Sequence, residues 1–193
     1  MIEKNRLIIT GALLFLFVIL MIVFLTLGVK DSTSSGPSVL VTDPDSGEVL
    51  EAKTRSVILY FISEEDSLLH PETRKILDLP SVSLMGRNLV EELLLGSRNG
   101  LISPFPQDTK LREFYLTEEG VAYADFSREI RESHMNGASA DVAIVYSIVN
   151  SLTENFSEIK KVFILIDGRE SQTLGGHVDL TRPFIPRKDL IKK

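Results

Sequence analysis

Residues 139–184 read SADVAIVYSIVNSLTENFSEIKKVFILIDGRESQTLGGHVDLTRPF. They predict an amphipathic helix, a short connection, a buried strand and a glycine-rich loop. Ser139 is suited to cap the helix, and Asp141 in its first turn suits the positive end of the helix dipole. Val142, Val145, Ile148, Val149 and Leu152 recur at three- and four-residue spacing and therefore share one face. Lys160 and Lys161 lead into Val162-Phe163-Ile164-Leu165-Ile166. That run is too short for a helix and rich in β-branched and aromatic side chains, as in a strand buried on both faces. Asp167-Gly168 turns the chain, and Thr173-Leu174-Gly175-Gly176-His177-Val178-Asp179 follows.

Upstream, residues 57–62 (Val-Ile-Leu-Tyr-Phe-Ile) form a second continuous apolar run and predict another central strand. Residues 67–82 carry Pro71 and Pro80 and predict irregular structure, with a turn of helix over residues 72–77. Ser83 caps a predicted helix over residues 84–95 that ends at Gly96. Met85, Leu89, Val90, Leu93 and Leu94 form its apolar face, and Arg87, Asn88, Glu91 and Glu92 its wet one. Asn99-Gly100 and Pro104-Phe105-Pro106 mark a long loop. Two strands, residues 110–117 and 121–126, join through Glu118-Glu119-Gly120 as a short hairpin. Leu111 is out of phase with Phe114 and Leu116, which points to a bulge or an edge position. Asn136-Gly137 turns into the second helix. The order is β-α-β-β-α-β. It predicts an α+β or α/β fold with one small mixed sheet and two helices on one face.

The segments IVYSIVNSLTENFSEIKKVFILIDG and TLGGHVDLTRPF together resemble the GerMN domain, the sporulation and germination domain of bacterial envelope proteins. RNLVEELLLGSRNGLISPFPQDTKL resembles the family's first helix and its exit, and EEGVAYADFS its hairpin. The likeness runs from about Val57 to Phe184. It implies a small α/β unit, similar to the ring-building modules of membrane-spanning assemblies, that packs laterally with copies or relatives. Some members carry two copies of the domain; this chain carries one.

The 23 residues from Leu7 to Val29 hold no charge. As a helix they would span roughly 34 Å, enough for a bilayer core of about 30 Å. Lys4 and Arg6 precede them and favour a cytoplasmic N-terminus, which places the remainder outside the cytoplasm. A cleaved signal peptide is the competing reading. The expected organisation is a cytoplasmic stub (residues 1–6), a transmembrane helix (7–29), a flexible linker rich in Ser, Asp, Pro and Gly (30–56), the GerMN-like domain (57–185) and a basic tail (186–193). Short strands are conceivable at residues 39–41 and 48–50 of the linker.

Three of the 21 basic and one of the 27 acidic residues lie in residues 1–30, so the remainder holds 18 basic against 26 acidic side chains. That acidic balance, without a basic stripe, argues against nucleic acid. The absence of cysteine removes disulfides, thiolate metal sites and lipidation of an N-terminal Cys.

No residue pattern points to catalysis, a cofactor or a metal. His177 stands beside two glycines and near Asp167 and Asp179, which a general base or ligand could use. The simpler reading has it hydrogen-bonding the loop backbone. His70 and His134 are distant in sequence, and no metal-type spacing occurs. Ser171, His177 and Asp179 lack the context of a nucleophile elbow. Gly175-Gly176 has neither the dinucleotide nor the Walker pattern and fits a tight turn instead. Two surfaces remain as candidates. One is the loop with Asp167, Gly168, Leu174, Gly175, Gly176, His177 and Asp179, where Leu174 either docks a partner or folds into the core. The other is the edge of the strand over residues 110–117. The expected partners are envelope proteins or further copies of the chain, with peptidoglycan as the alternative; scarce aromatics, with no Trp and four Tyr, weigh against sugar binding.

Overall fold

The computed structural model describes residues 53–132 and 137–193, together with the backbone of two short strands that pair antiparallel, β1 (Leu40–Thr42) and β2 (Val49–Glu51). The apolar stretch from Leu7 to Val29, most of the linker, and His134 and Asn136 lie outside the described residues. Among the described residues no helix is long and apolar enough to cross a membrane.

The domain has two helices and two small sheets, not the single sheet expected. β3 (Thr54–Ile62) and β4 (Leu69–Leu77) form an antiparallel hairpin in register from Thr54 opposite Leu77 to Ile62 opposite Leu69. β3 reads as an unbroken apolar run because it is covered on both faces. Val57, Leu59 and Phe61 enter the main core, while Tyr60 and Ile62 join Leu69 in a smaller cluster against Ala143, Leu190 and Ile191.

β4 replaces the irregular stretch expected for residues 67–82. Its inward positions are Glu72, Arg74 and Ile76, so a buried ion pair occupies two places where the pattern requires apolar side chains. Arg74 Nε and Nη2 lie 2.8 Å and 2.5 Å from Glu72 Oε1. Glu72 also accepts from Ser97 Oγ and the amides of Arg98 and Asn99. Arg74 donates to the carbonyls of Glu92 and Gly96. Burial pushes the Glu72 carboxyl up, but Ser97, Arg74 and the Arg98 amide outweigh it and hold it below the usual range. Pro71 is tolerated because it faces Tyr60, whose own amide and carbonyl bond elsewhere. The missing proline N–H therefore points away from β3.

The far edge of β3 is closed by side chains rather than by another strand. Helix α2 (Ala138–Asn155) presents Ser147, Ser151 and Asn155 at four-residue spacing. Tyr60 N–H donates to Ser151 Oγ at 3.0 Å, and Ser147 Oγ–H to the Tyr60 carbonyl. Ile58 N–H donates to Asn155 Oδ1 at 2.8 Å, and Asn155 Nδ2 returns a bond to the Ile58 carbonyl at 2.7 Å. Ile62 exchanges backbone bonds with Ile102 of the proline-rich loop. These partners satisfy a buried edge that would otherwise carry orphaned amides, and they explain why β3 joins no larger sheet.

Helix α1 (Val82–Leu94) starts two residues earlier than expected, capped by Ser81, whose Oγ accepts from Leu84 N–H at 3.2 Å. It buries Met85, Leu89, Val90 and Leu93 as read from the spacing, and Gly86 as well. A Cβ on Gly86 would stand 2.6 Å from the Phe114 ring, so glycine permits this close approach of helix and sheet. α2 likewise starts at Ala138, entered through Gly137 rather than capped by Ser139.

The second sheet runs β5 (Leu111–Leu116), β6 (Val121–Phe126), β7 (Lys161–Ile166), with β6 central, antiparallel to β5 and parallel to β7. Its register shifts between Leu111 and Glu113, a bulge at Arg112 where Leu111 is out of phase. Phe114, Ala122, Ala124, Phe126, Val162, Ile164 and Ile166 face the helices and share one core with β3. The last residues are folded onto the domain. Asn150 exchanges two hydrogen bonds with the Arg187 backbone, and Lys192 N–H donates to the Leu69 carbonyl.

Candidate functional site

The loop after β7 is held by two buried carboxylates from other elements. Asp167 and Gly168 turn in the left-handed region, with φ of 52° and 73°. Gly168 N–H donates to Asp125 Oδ1 at 2.8 Å. Asp125 lies on the outer face of β6 yet is buried. Its charge is met by Arg112 Nε at 3.2 Å, while Arg112 Nη1 reaches Asp167 Oδ1 at 2.9 Å. The bulge re-aims Arg112, so that Arg112 and Glu113 both stand clear of the core where strict alternation would bury one.

Residues 172–180 then form a narrow hairpin, with Leu180 N–H on the Gln172 carbonyl and Leu174 N–H on that of Val178. Leu174 and Leu180 are 2% and 0% exposed, so Leu174 takes the core position and offers no docking point. At the tip, Gly175 and His177 N–H donate to Asp141 Oδ2 at 2.9 Å and 3.3 Å. Asp141 is buried in the first turn of α2, where a carboxylate is favoured. A Cβ on Gly175 would stand 2.5 Å from Asp141 Oδ1, which is why a glycine occupies this position. Gly176 has a φ of 97°.

His177 Nδ1 lies 3.3 Å from the Gly175 carbonyl and 3.8 Å from Asp141 Oδ2, with the ring half-exposed. Asp179 is turned away from it. Its Oδ1 accepts from the Thr181 backbone and hydroxyl at 2.9 Å and 2.7 Å. The Thr181 amide, and then its hydroxyl, hold that carboxyl below its usual range. Ser171 Oγ accepts from Arg131. Ser171, His177 and Asp179 are therefore each engaged separately. Among the described residues no group of three or more His, Asp or Glu is placed to hold a metal ion.

The other candidate surface is the outer face and free edge of the three-stranded sheet. Tyr115, Tyr123 and Phe163 sit in one row across β5, β6 and β7. Tyr115 and Tyr123 stack with centroids 4.7 Å apart and planes 7° apart; Tyr123 and Phe163 follow at 5.3 Å and 27°. Burial rises along the row: Tyr115 at the free edge is 47% exposed, Tyr123 is half-buried, and Phe163 is 8% exposed. The row, the pairing of Arg112 with Asp125 and the anchoring role of Asp141 were not read from the sequence. Alternation alone puts each ring on an outer face, and only the strand register aligns them.

A mixed α+β domain of two helices and two small sheets is the architecture of GerMN domains. The tandem GerMN domains of the sporulation protein GerM from Bacillus subtilis are 26% identical, with 71% of this chain and 48% of that one covered and a TM-score of 0.54. The chain thus spans about half the length of that tandem structure. The first GerMN domain of the same protein is 25% identical, covering 70% of this chain and 99% of that one at a TM-score of 0.52. A Clostridium perfringens protein described as a candidate lipoprotein is 25% identical over 72% of this chain and 93% of that one, with a TM-score of 0.49. No curated protein matches. The family model Germane, described as sporulation and spore germination, matches residues 58–172. The chain belongs to that family.

Proposed function

We propose that the protein is a non-enzymatic interaction module, held outside the cytoplasm by the apolar segment from Leu7 to Val29, that helps to build a cell-envelope assembly in sporulation or germination. The observation that carries this reading is the outer face of the β5–β6–β7 sheet, which is open at Tyr115 on β5. Its aromatic row reaches an exposed strand edge, while the loop beside it spends its polar groups on holding itself. Family membership supports the sporulation or germination setting. The uncharged stretch behind Lys4 and Arg6 supports the anchor and its orientation.

Peptidoglycan binding is the alternative. Sugar rings stack on an exposed aromatic face, whereas here the rings lie against one another and leave only the outer face of Tyr115 free. That arrangement favours a protein partner. Gene deletion tests the proposal. Cells without the protein should show a defect in envelope assembly, sporulation or germination that a membrane-anchored copy restores and an unanchored copy does not. Normal cells under all these conditions would count against it.

A further inference from the structure

We infer that the edge of β5 is a self-pairing surface, at which a second copy of this chain adds its own β5 antiparallel about a twofold axis through Tyr115. The inference rests on the interaction-module reading and assigns it a surface.

Thr117 N–H donates to the Val121 carbonyl at 3.0 Å. Antiparallel alternation then makes Tyr115 and Tyr123 a hydrogen-bonded pair, so Phe114 and Leu116 aim their amides and carbonyls away from β6. Among the described residues no hydrogen bond reaches those groups. The edge is blocked at one end only: the bulge interrupts it, and the Arg112 carbonyl accepts from Arg87 Nη2. The remaining stretch runs from Glu113, whose carboxylate lies 3.6 Å from Arg87 Nη1, to Thr117, with Tyr115 at its centre. A row of free backbone groups is a template for another strand.

The aromatic row specifies which strand. Each strand of the sheet contributes one ring, and the stack stops at Tyr115 with one ring face bare. A strand that extends it must bring an aromatic opposite Tyr115. β5 of a second copy does so: Tyr115 meets its counterpart, and Phe114 and Leu116 exchange roughly four backbone hydrogen bonds with Leu116 and Phe114 of the copy. In this register Glu113 falls opposite Thr117, so no like charges oppose each other. Such a contact is self-complementary and closes as a dimer. It is small, so it forms at the high local concentration of an anchored protein, and the acidic net charge makes it stronger at higher salt.

The chain has no cysteine, so disulfide trapping reports the register directly. Opposed side chains across such a pair have Cβ atoms about 4.5–5.5 Å apart, close enough for trapping. In the full-length chain, Tyr115→Cys should cross-link to itself. Glu113→Cys and Thr117→Cys should each remain monomeric alone, but their mixture should give a linked pair at tenfold or more the yield of either. All three positions are on the outer face, and unchanged thermal melting checks the fold. Adding Tyr115→Lys to both partners should lower the mixed yield at least tenfold. A mixture that links no better than its components overturns the proposal, as does a yield indifferent to Tyr115→Lys. If a probe in cells captures a different envelope protein and never a second copy, self-pairing fails while the interaction module stands. If pairing is found but deletion has no phenotype, the surface stands and the assembly role fails.

Discussion

Replacing Arg74 by Met tests how the buried ion pair holds the hairpin of β3 and β4 to helix α1. Both side chains are about 2% exposed or less. Five donor groups converge on Glu72: two from Arg74, the Ser97 hydroxyl and the Arg98 and Asn99 amides. Removing Arg74 leaves a buried carboxylate with three of these donors, and it frees the Glu92 and Gly96 carbonyls that Arg74 holds. Breaking a buried pair in this way costs about 3–5 kcal/mol, and roughly 10 °C in Tm for a domain of this size. Glu72→Gln should cost a similar amount, because it turns an amide donor toward donors. The double variant Glu72→Gln/Arg74→Met removes both charges, so its cost should fall at least about 1 kcal/mol short of the sum. Urea denaturation of the three variants measures the cycle. An Arg74→Met loss under about 1 kcal/mol, or additive effects, would refute the reasoning.

Asn155→Ala should strand the Ile58 amide and carbonyl and cost about 1–3 kcal/mol, with faster hydrogen exchange at Ile58 while the Leu59 amide, paired to β4, changes less. Gly175→Ala should cost about 1–3 kcal/mol, since its Cβ meets the Asp141 carboxylate, and Asp141→Ala should not rescue it because the Gly175 and His177 amides then lose their acceptor; a melt of both variants decides. Because Glu72 titrates lower folded than unfolded, its stabilisation is present above about pH 4.5 and is lost as pH falls through the lowered value. Glu72→Gln should therefore lose less stability than the parent between about pH 5 and pH 3, measured by denaturation at each pH.

The sequence was most legible where burial was apolar and periodic. Residues 57–62 and 162–166 read as buried strands and are, although β3 lies in a two-stranded hairpin and β7 at the side of its sheet rather than centrally. The phase of Leu111 marked the bulge at Arg112. Reading failed where polar groups do the work of apolar ones. His70-Pro71-Glu72-Thr73-Arg74-Lys75 has no strand signature, because its inward side chains are an ion pair whose partners lie about 25 residues away in the chain. Ser147, Ser151 and Asn155 are not among the apolar residues whose spacing defines the helix, yet they close the edge of β3 and divide the expected single sheet in two. In the candidate site, the resemblance located the loop, and the glycines and Asp167 marked its turns. Its anchors Asp125 and Asp141 come from distant elements, and so does the partner that decides whether Leu174 is inside or outside. The aromatic row was hidden for the same reason: Tyr115, Tyr123 and Phe163 become neighbours only through strand register.

The most direct test of the interaction module is photo-crosslinking in living cells from a probe placed at Tyr115, with adducts identified by mass spectrometry. The account predicts a discrete adduct with a second copy or another envelope protein, absent when the probe sits at the buried Leu174. Adducts with wall fragments alone, or none at Tyr115, would contradict it.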